Sequence, residues 1–519
     1  MKILLLTLLA STLAPAATLP LDEALAMALR NNLDLKIERE NITSAQQAES
    51  GAHGFRNPVF HWNPQFQILN NPTPSILSGQ DGKLEQHQIL SDAGFHQRTW
   101  QGGIFDLTVT NSRVTTNDLF VGLNPYYTAQ ITLAYVQPLW KGRAIDSDRA
   151  ILKIRGVETG IARTRLELRA IDIITRVEQA YWNLAAARDA AAVDREAADL
   201  ARTQLEQNRR MIVAGTLPAV ELAASEAELQ RRLDNWYSSL ESITDYENTL
   251  KSLLASPRHD DPIWDREIMP DASQAPPQPE PTDRKQAIAE ALKQRPELRA
   301  IEQQLEVNSI EEQQNADQTR PALNFVASYS NTGISGTLRN TPDPITSAIE
   351  PYAIRINDLS AASGLAPLPP SGFGTLPSSS HYQGVQAGFN FEYTLHNRQA
   401  RANLDQTVTA GRTLKLQRTR TEQSIEVEVR NALQSLETAK QRIVTGEAGV
   451  RAAREKLESE QRLFEHGEST NFLVLTRQNE YSDARRRLLS AHLDYNQAVT
   501  RFHAATGVTL ASRNLVLEP

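Results

Sequence analysis

Two runs of nearly seventy residues, Asp146 to Ile212 and Asn397 to Phe464, contain almost no helix breaker, and each carries an apolar residue at every seventh position near its end. In the first run these are Leu184, Ala191, Ala198, Leu205 and Ile212; in the second, Leu436, Ile443, Val450, Leu457 and Phe464. Each member of one set lies 252 residues before its counterpart, the same separation as between Gly215 and Gly467, which follow the two runs. Beyond the glycines the pattern resumes at the same offset, as Leu222, Leu229, Trp236, Ile243 and Leu250 against Val474, Tyr481, Leu488, Tyr495 and Phe502. A strict seven-residue repeat keeps one seam of a helix facing a partner and implies a left-handed supercoil, so these are coiled-coil-like helices joined at tight turns. Leu233, Leu240 and Leu254 complete the alternation in the first half, whereas Arg485 and His492 hold equivalent places in the second, which makes that stripe narrower or sets it against a wetter neighbour.

At 1.5 Å per residue each long run extends ~100 Å, more than any compact globular domain requires. Shorter helices are predicted from Asp22 to Ser50 and from Ala219 to Ala255; laid end to end they match one long helix, the arrangement of a tube wall. The openings of the halves also correspond. Asp22 to Asn32 resembles Asp283 to Arg295, where Ala287, Ile288, Ala291 and Leu292 keep the apolar spacing, and Leu33 and Pro296 fall at the same place. The expected organisation is a secretory signal over 1–17, a first repeat over 18–256, a Pro-rich connector over 257–282 and a second repeat over 283–519. The signal rests on Met1-Lys2, the apolar core Ile3 to Leu9 and the small residues Ala14-Pro15-Ala16-Ala17.

Between the first short helix and the long helix of each half, the period changes from near 3.5 to 2. Tyr127, Ala129, Ile131, Leu133 and Tyr135 alternate with Thr128, Gln130 and Thr132; Val385, Ala387, Phe389, Phe391, Tyr393 and Leu395 alternate with Gln386, Asn390, Glu392 and Thr394. Their partners are Phe60 to Ile68 and Leu323 to Tyr329. Each approaches the ~9–11 residues of a tilted membrane strand, with Trp62, Tyr127 and Tyr393 suited to the interface; an ordinary half-buried sheet gives the same alternation. Beyond the leader no window reaches the ~18 consecutive apolar residues of a spanning helix, so insertion of the mature chain would use strands. Four strands cannot close a useful barrel, and an open edge is not tolerated in lipid, so the chain would have to oligomerise. Three copies would give twelve strands and a matching ring of helices.

The chain of 519 residues has no cysteine, which removes disulfides, thiolate metal sites and an N-terminal lipidated cysteine. A net charge of −8 with mixed signs offers no basic stripe for nucleic acid. Ten histidines are scattered without HExxH or other ligand spacing, and Gly102-Gly103 lacks the Walker lysine. His492 and His503 are read as a solvated or lumen-facing pair rather than a metal site. No catalytic constellation is present, so the chain is read as no enzyme, with no cofactor and no metal.

Leu21-Asp22-Glu23-Ala24-Leu25 through Asn31-Asn32, Gln137-Pro138-Leu139 ending a strand, Leu395-His396-Asn397-Arg398 opening the second long helix, and the Phe464-Glu465-His466-Gly467 turn together resemble the outer membrane efflux proteins typified by TolC. The resemblance covers the whole mature chain. It implies a mainly α fold with a membrane β-barrel portion: a homotrimer whose α-barrel crosses much of the periplasm and whose 12-stranded β-barrel is shared between protomers in outer-membrane lipid. It also implies export of small molecules or secretion of proteins, with a periplasmic adaptor and an inner-membrane pump as partners. The turns at Gly215, Thr216, Leu217 and Glu221, and at Glu465, Gly467, Glu468 and Ser469, become the periplasmic tips that dock the adaptor and gate the tube; Ile131, Leu133, Tyr135, Phe389, Phe391 and Tyr393 become lipid-facing.

The chain departs from the family in two places. Where relatives carry acidic residues shortly after the second turn, the corresponding residues are Leu473 and Thr476; Glu221 holds the first-half site, with Glu465 and Glu468 near the second turn. A long insert, Asn70 to Asn124, contains an extra strand (Phe105, Leu107, Val109 against Asp106, Thr108, Thr110) that either extends an external hairpin or decorates the periplasmic side. A loop rich in Pro, Gly and Ser is expected from Thr332 to Ser380. The competing reading of the whole chain is a periplasmic coiled-coil adaptor or structural spacer.

Overall fold

The computed structural model describes residues 18–74, 78–79, 82–215, 218–256, 261–271, 283–338, 383–513 and 515. The leader, Thr216, Leu217, most of the connector and most of the Thr332–Ser380 loop lie outside the described residues. In chain order the elements are β1 (Thr18–Leu19), α1 (Leu21–Asn31), α2 (Leu33–Ala52), β2 (Val59–Pro72), β3 (Lys83–Arg98), β4 (Ile104–Thr116), β5 (Leu123–Pro138), α3 (Ser147–Val213), α4 (Val220–Leu254), β6 (Met269–Pro270), α5 (Arg284–Gln294), α6 (Pro296–Gln318), β7 (Ala322–Leu338), β8 (Gln383–Glu392), α7 (Arg398–Glu465), α8 (Asn471–Thr506) and α9 (Thr509–Ser512). The starts of α5, α6 and β7 lie 263 residues after those of α1, α2 and β2, and the ends of α7 and α8 lie 252 after those of α3 and α4.

Contacts divide the chain into two units. One holds the described residues of 1–45, 159–304 and 414–519, the other those of 46–158 and 305–413, so each draws on both halves of the sequence. In the first unit, the buried side of α3 (Ile173, Ile174, Val177, Tyr181, Leu184) packs with Leu21 and Leu25 of α1, Leu35 of α2 and Leu250 and Leu254 of α4. A second cluster joins Ala287 and Ala291 of α5 to Ile425 and Val429 of α7 and Phe502 of α8. All twenty residues of the four seven-residue stripes are buried or half-buried. The described part of the connector is ordered: Ile263 and Ile268 enter the core, and β6 pairs in parallel with β1. The buried Tyr181 hydroxyl donates to Leu19 O at 2.8 Å and accepts from Asp271 N at 2.8 Å, and burial pushes its pKa up to about 12.

One predicted helix is two. Asp22 to Ser50 breaks at Asn32, whose side chain accepts a bond from Asp34 N at 2.9 Å and so starts α2 afresh; the duplicate breaks likewise between α5 and α6 at Arg295.

The second unit contains a six-stranded antiparallel sheet in the order β2-β3-β4-β5-β7-β8. The four expected strands and the extra strand of the insert are all present, and a sixth, β3, which was not expected, joins them. The extra strand of the insert is β4, and it neither extends an external hairpin nor decorates another surface: with β3 it inserts between β2 and β5, in continuous register on both sides. In the second half β7 pairs directly with β8. Strand β7 also runs to Leu338, taking in residues expected as loop, and β8 stops at Glu392, before Tyr393 and Leu395.

The register gives the sheet two different faces. Phe60, Phe95, Leu107, Leu133, Tyr329 and Val385 form one cross-strand row; the row displaced by one residue is His61, Gly94, Thr108, Thr132, Ser330 and Gly384. Because side chains alternate along a strand, the apolar row belongs to one face and the polar row to the other. The β3–β4 turn is tied down at the base of α3. Arg98 pairs with Asp148, and Arg149 donates to Trp100 O at 3.4 Å and to Gly142 O at 2.6 Å.

Candidate functional site

The two helical hairpins turn in the same way. Gly215 N donates to Ile212 O at 3.0 Å with φ +71°, and Gly467 N to Phe464 O at 3.0 Å with φ +75°. Glu468 N adds a bond to Leu463 O at 2.8 Å, which satisfies the last carbonyls of α7. A Cβ built on either glycine would meet nothing within 4 Å, so the residue is required by its left-handed backbone and not by crowding. Thr470 caps α8, its hydroxyl accepting from Leu473 N at 3.4 Å. Glu465 and Glu468 are exposed, while Ser469 is half-buried with its hydroxyl on the Glu460 carboxylate.

Just inside these turns α3, α4 and α8 share a buried polar cluster. Asn208 Nδ2 donates to Ser225 Oγ at 2.7 Å and to Asn471 Oδ1 at 2.8 Å; Asn471 Nδ2 donates to the Glu221 carboxylate at 3.0 Å; Gln204 Nε2 donates to Asn208 Oδ1 at 3.0 Å. Gln204, Asn208, Ser225 and Asn471 are each 4% exposed or less. Of the residues singled out from sequence, only Glu221 enters this cluster. The other four members were missed because amides and hydroxyls read as surface residues in an apolar pattern. A signal was available: Ala187, Asp194, Ala201 and Asn208 step by seven along α3 and all are buried, a second seam beside the leucine one.

Farther from the turns the polar contacts continue. Arg232 is buried between the Glu228 carboxylate, at 2.8 Å, and Asn479. Asp194 accepts from Ser239 Oγ at 2.5 Å and from Arg486 at 2.6 Å. Arg485 pairs with Glu196 and lies over the Tyr481 ring, so the second stripe faces a wetter neighbour, the charged flank of α3.

Buried amides and carboxylates that satisfy one another hold helices in a single arrangement, and low local dielectric makes the loss of any one partner costly. Among the described residues no group of three or more His, Asp or Glu could hold a metal. His492 and His503 do not form the expected solvated pair: His492 is exposed, whereas His503 is buried, and burial followed by the charge of Arg513 lowers its pKa to about 4.

The other singled-out residues lie on the sheet. Ile131, Leu133 and Tyr135 on β5 share a face with Phe389 and Phe391 on β8, through Phe325, Ala327 and Tyr329 of β7; Tyr393 is exposed just beyond β8. Among the described residues no helix is long and apolar enough to cross a membrane.

Residues 287–508, from α5 through the Gly467 turn to the end of α8, match the family model described as outer membrane efflux protein. Over these residues the chain is similar to outer membrane efflux proteins. The fold of the whole chain is that of TolC-like channels. It is similar to the outer-membrane channel OprN (TM-score 0.65, 13% identity, covering 94% of this chain and 89% of that one). It is also similar to the VceC outer membrane protein of Vibrio cholerae (0.63, 14%, 94% and 96%) and to the CmeC outer membrane channel of Campylobacter jejuni (0.61, 15%, 94% and 85%). At these identities the likeness is one of fold. No curated protein matches by sequence. The matched stretch contains only one of the two hairpin turns; the first lies outside it and repeats its geometry 252 residues earlier.

Proposed function

We propose that the chain is one protomer of a passive export duct in the outer membrane, a homotrimer whose sheets form the membrane wall and whose helical hairpins form a periplasmic tube. The observation that carries this reading is the two-faced sheet. Its apolar face offers Phe60, Trp62, Phe66, Phe389 and Phe391, all more than half exposed in the single chain, and among the described residues its outer strands β2 and β8 have no further strand on their outer edges. Lipid suits the apolar face, and closure against further copies suits the edges. Residues 18–256 and 283–519 are read as two copies of one unit, with 1–17 as its export signal.

The hairpin turns at Gly215–Leu217 and Glu465–Ser469 dock a periplasmic adaptor, which couples the duct to an inner-membrane pump that supplies the energy. The Asn208–Asn471–Ser225–Glu221 cluster is the latch: it holds the two hairpins together in the closed state and exchanges its bonds for water when they splay. The cargo is small molecules or secreted protein. The test is single-channel conductance of the purified mature protein in planar bilayers, with its mass measured in detergent. A trimer with discrete steps is expected, and Asn471→Ala should raise the time spent in the larger step. A water-soluble, non-conducting species would favour a periplasmic adaptor or spacer, and transport through a trimer crosslinked at every turn would sink the latch.

A further inference from the structure

We infer that the membrane wall is a closed ring of eighteen strands, six from each of three copies, and not the twelve that two strands per half would give. The inference rests on the channel reading above. The internal duplication supplies its own control. In the second half β7 and β8 are neighbours along ten consecutive residue pairs, whereas in the first half the corresponding strands β2 and β5 are separated by the β3–β4 hairpin.

That hairpin is a full member of the wall. β3 matches β2 over fourteen residue pairs, and β4 matches β5 over eleven. Phe95, Leu107 and Val109 continue the apolar face, while Asp92, His96, Asp106 and Thr108 continue the polar one. His96 Nδ1 lies 2.6 Å from Asp106 Oδ1 and Asn63 Nδ2 donates to Asp92 at 3.3 Å, so polar side chains of three adjacent strands satisfy one another on the same side. The hairpin's turn, held by Arg149 and Asp148, lies at the same end of the sheet as the start of α3.

Directions close the ring. Strands alternate from β2 to β8 across an even number, so the free edge of β2 is antiparallel to the free edge of β8 on the next copy, and identical joints repeat without leaving an edge in lipid. With strands ~4.8 Å apart and tilted ~40°, twelve strands enclose a backbone circle about 24 Å across and eighteen about 36 Å. After about 5 Å of side chain on each side, the open cross-section at the membrane rises roughly threefold. A lumen about 26 Å wide clears even an α-helix, about 10–12 Å in diameter with its side chains. The membrane wall then exerts no size selection on small molecules or on an extended or helical polypeptide, and selection falls to the helical hairpins.

The test images the full-length protein in lipid nanodiscs by electron cryomicroscopy and counts strands, with disulfide mapping as a second readout. The chain has no cysteine of its own, so introduced thiols report cleanly. Gln65 faces Leu90 across β2–β3, and a Gln65→Cys/Leu90→Cys pair should oxidise fully in the trimer. Gln65→Cys paired with Thr128→Cys, Gln130→Cys or Thr132→Cys on β5 should not, because three strand spacings, about 14 Å, exceed disulfide reach. An eighteen-strand ring with the first linkage supports the inference. A trimeric ring of twelve strands, with Gln65 linked to β5, would overturn it and leave the channel reading standing. A preparation without rings or trimers would remove both.

Discussion

Asn471 sits where three helices need it, and the cost of losing it follows from what it leaves behind. Asn471→Ala withdraws an acceptor from the fully buried Asn208 and a donor from the half-buried Glu221. At about 1–3 kcal/mol for a buried group left unpaired, with Glu221 able to turn to water, the tip should loosen by about 1–3 kcal/mol. Hydrogen exchange should quicken at the ends of α3 and α8 and stay unchanged in α1; unchanged exchange at the tip would remove the latch. Tyr181→Phe leaves Leu19 O and Asp271 N without their hydroxyl and should destabilise the β1–β6 junction by about 1–3 kcal/mol. His503 gives a pH dependence of definite sign. Its folded pKa, about 4, lies below the ~6.5 of an unfolded histidine, so between these values the unfolded chain takes up a proton that the folded chain refuses. Stability is full above pH ~6.5 and falls as pH drops toward 4, by up to ~3 kcal/mol. The thermal midpoint of the helical signal should fall between pH 7 and 5 in the natural protein, and His503→Gln should flatten that slope.

At the scale of elements, the turns and the stripes make different demands. Gly215→Ala or Gly467→Ala meets no neighbour and pays only for the left-handed backbone, about 1–2 kcal/mol confined to the turn. Leu184→Ala, in the fully buried seam of α3, should cost about 2–5 kcal/mol in the helical melt, and a smaller loss than at the glycines would contradict the packing described. The long helices were legible because a seven-residue repeat over so many turns has few alternatives, and their extents agree with expectation within a residue or two. The break at Asn32 was not, because Ala28, Leu29, Leu33 and Leu35 keep an apolar spacing across it and only the backbone at Asn32 departs. β3 was hidden for a chemical reason: its apolar face reads His87, Ile89, Ser91, Ala93, Phe95, two polar residues in five, and Leu90 lies on the polar face. Ser91 is paid back by Trp62, whose Nε1 donates to its hydroxyl at 2.9 Å, a cross-strand bond that no single-strand pattern reveals. The tip glycines were legible from their flanks; the polar cluster beside them was not, because burial of an amide depends on partners 246 to 263 residues away.

For the whole molecule, the duct proposed above would make assembly and membrane insertion one process, because its exposed aromatics lie on the outer strands β2 and β8. Phe389→Asp or Phe391→Arg places a charge on the apolar face, and at about 2–4 kcal/mol for a basic residue near a bilayer midplane it should lower the outer-membrane fraction and the trimer yield together. A variant that stayed fully trimeric and membrane-bound would place lipid elsewhere.

The buried amides at the tip have a consequence for how the chain finds its own alignment. Sliding α8 by one heptad along α3, about 10 Å, would trade one set of leucines and alanines for another and lose little apolar contact. The same slip carries Asn471 away from Asn208 and leaves it beside Ala201, which has nothing to offer an amide. The cluster therefore acts as a detent in an otherwise sliding joint, and one set of hydrogen bonds near the turns fixes how the 67-residue α3 meshes with α4 and α8.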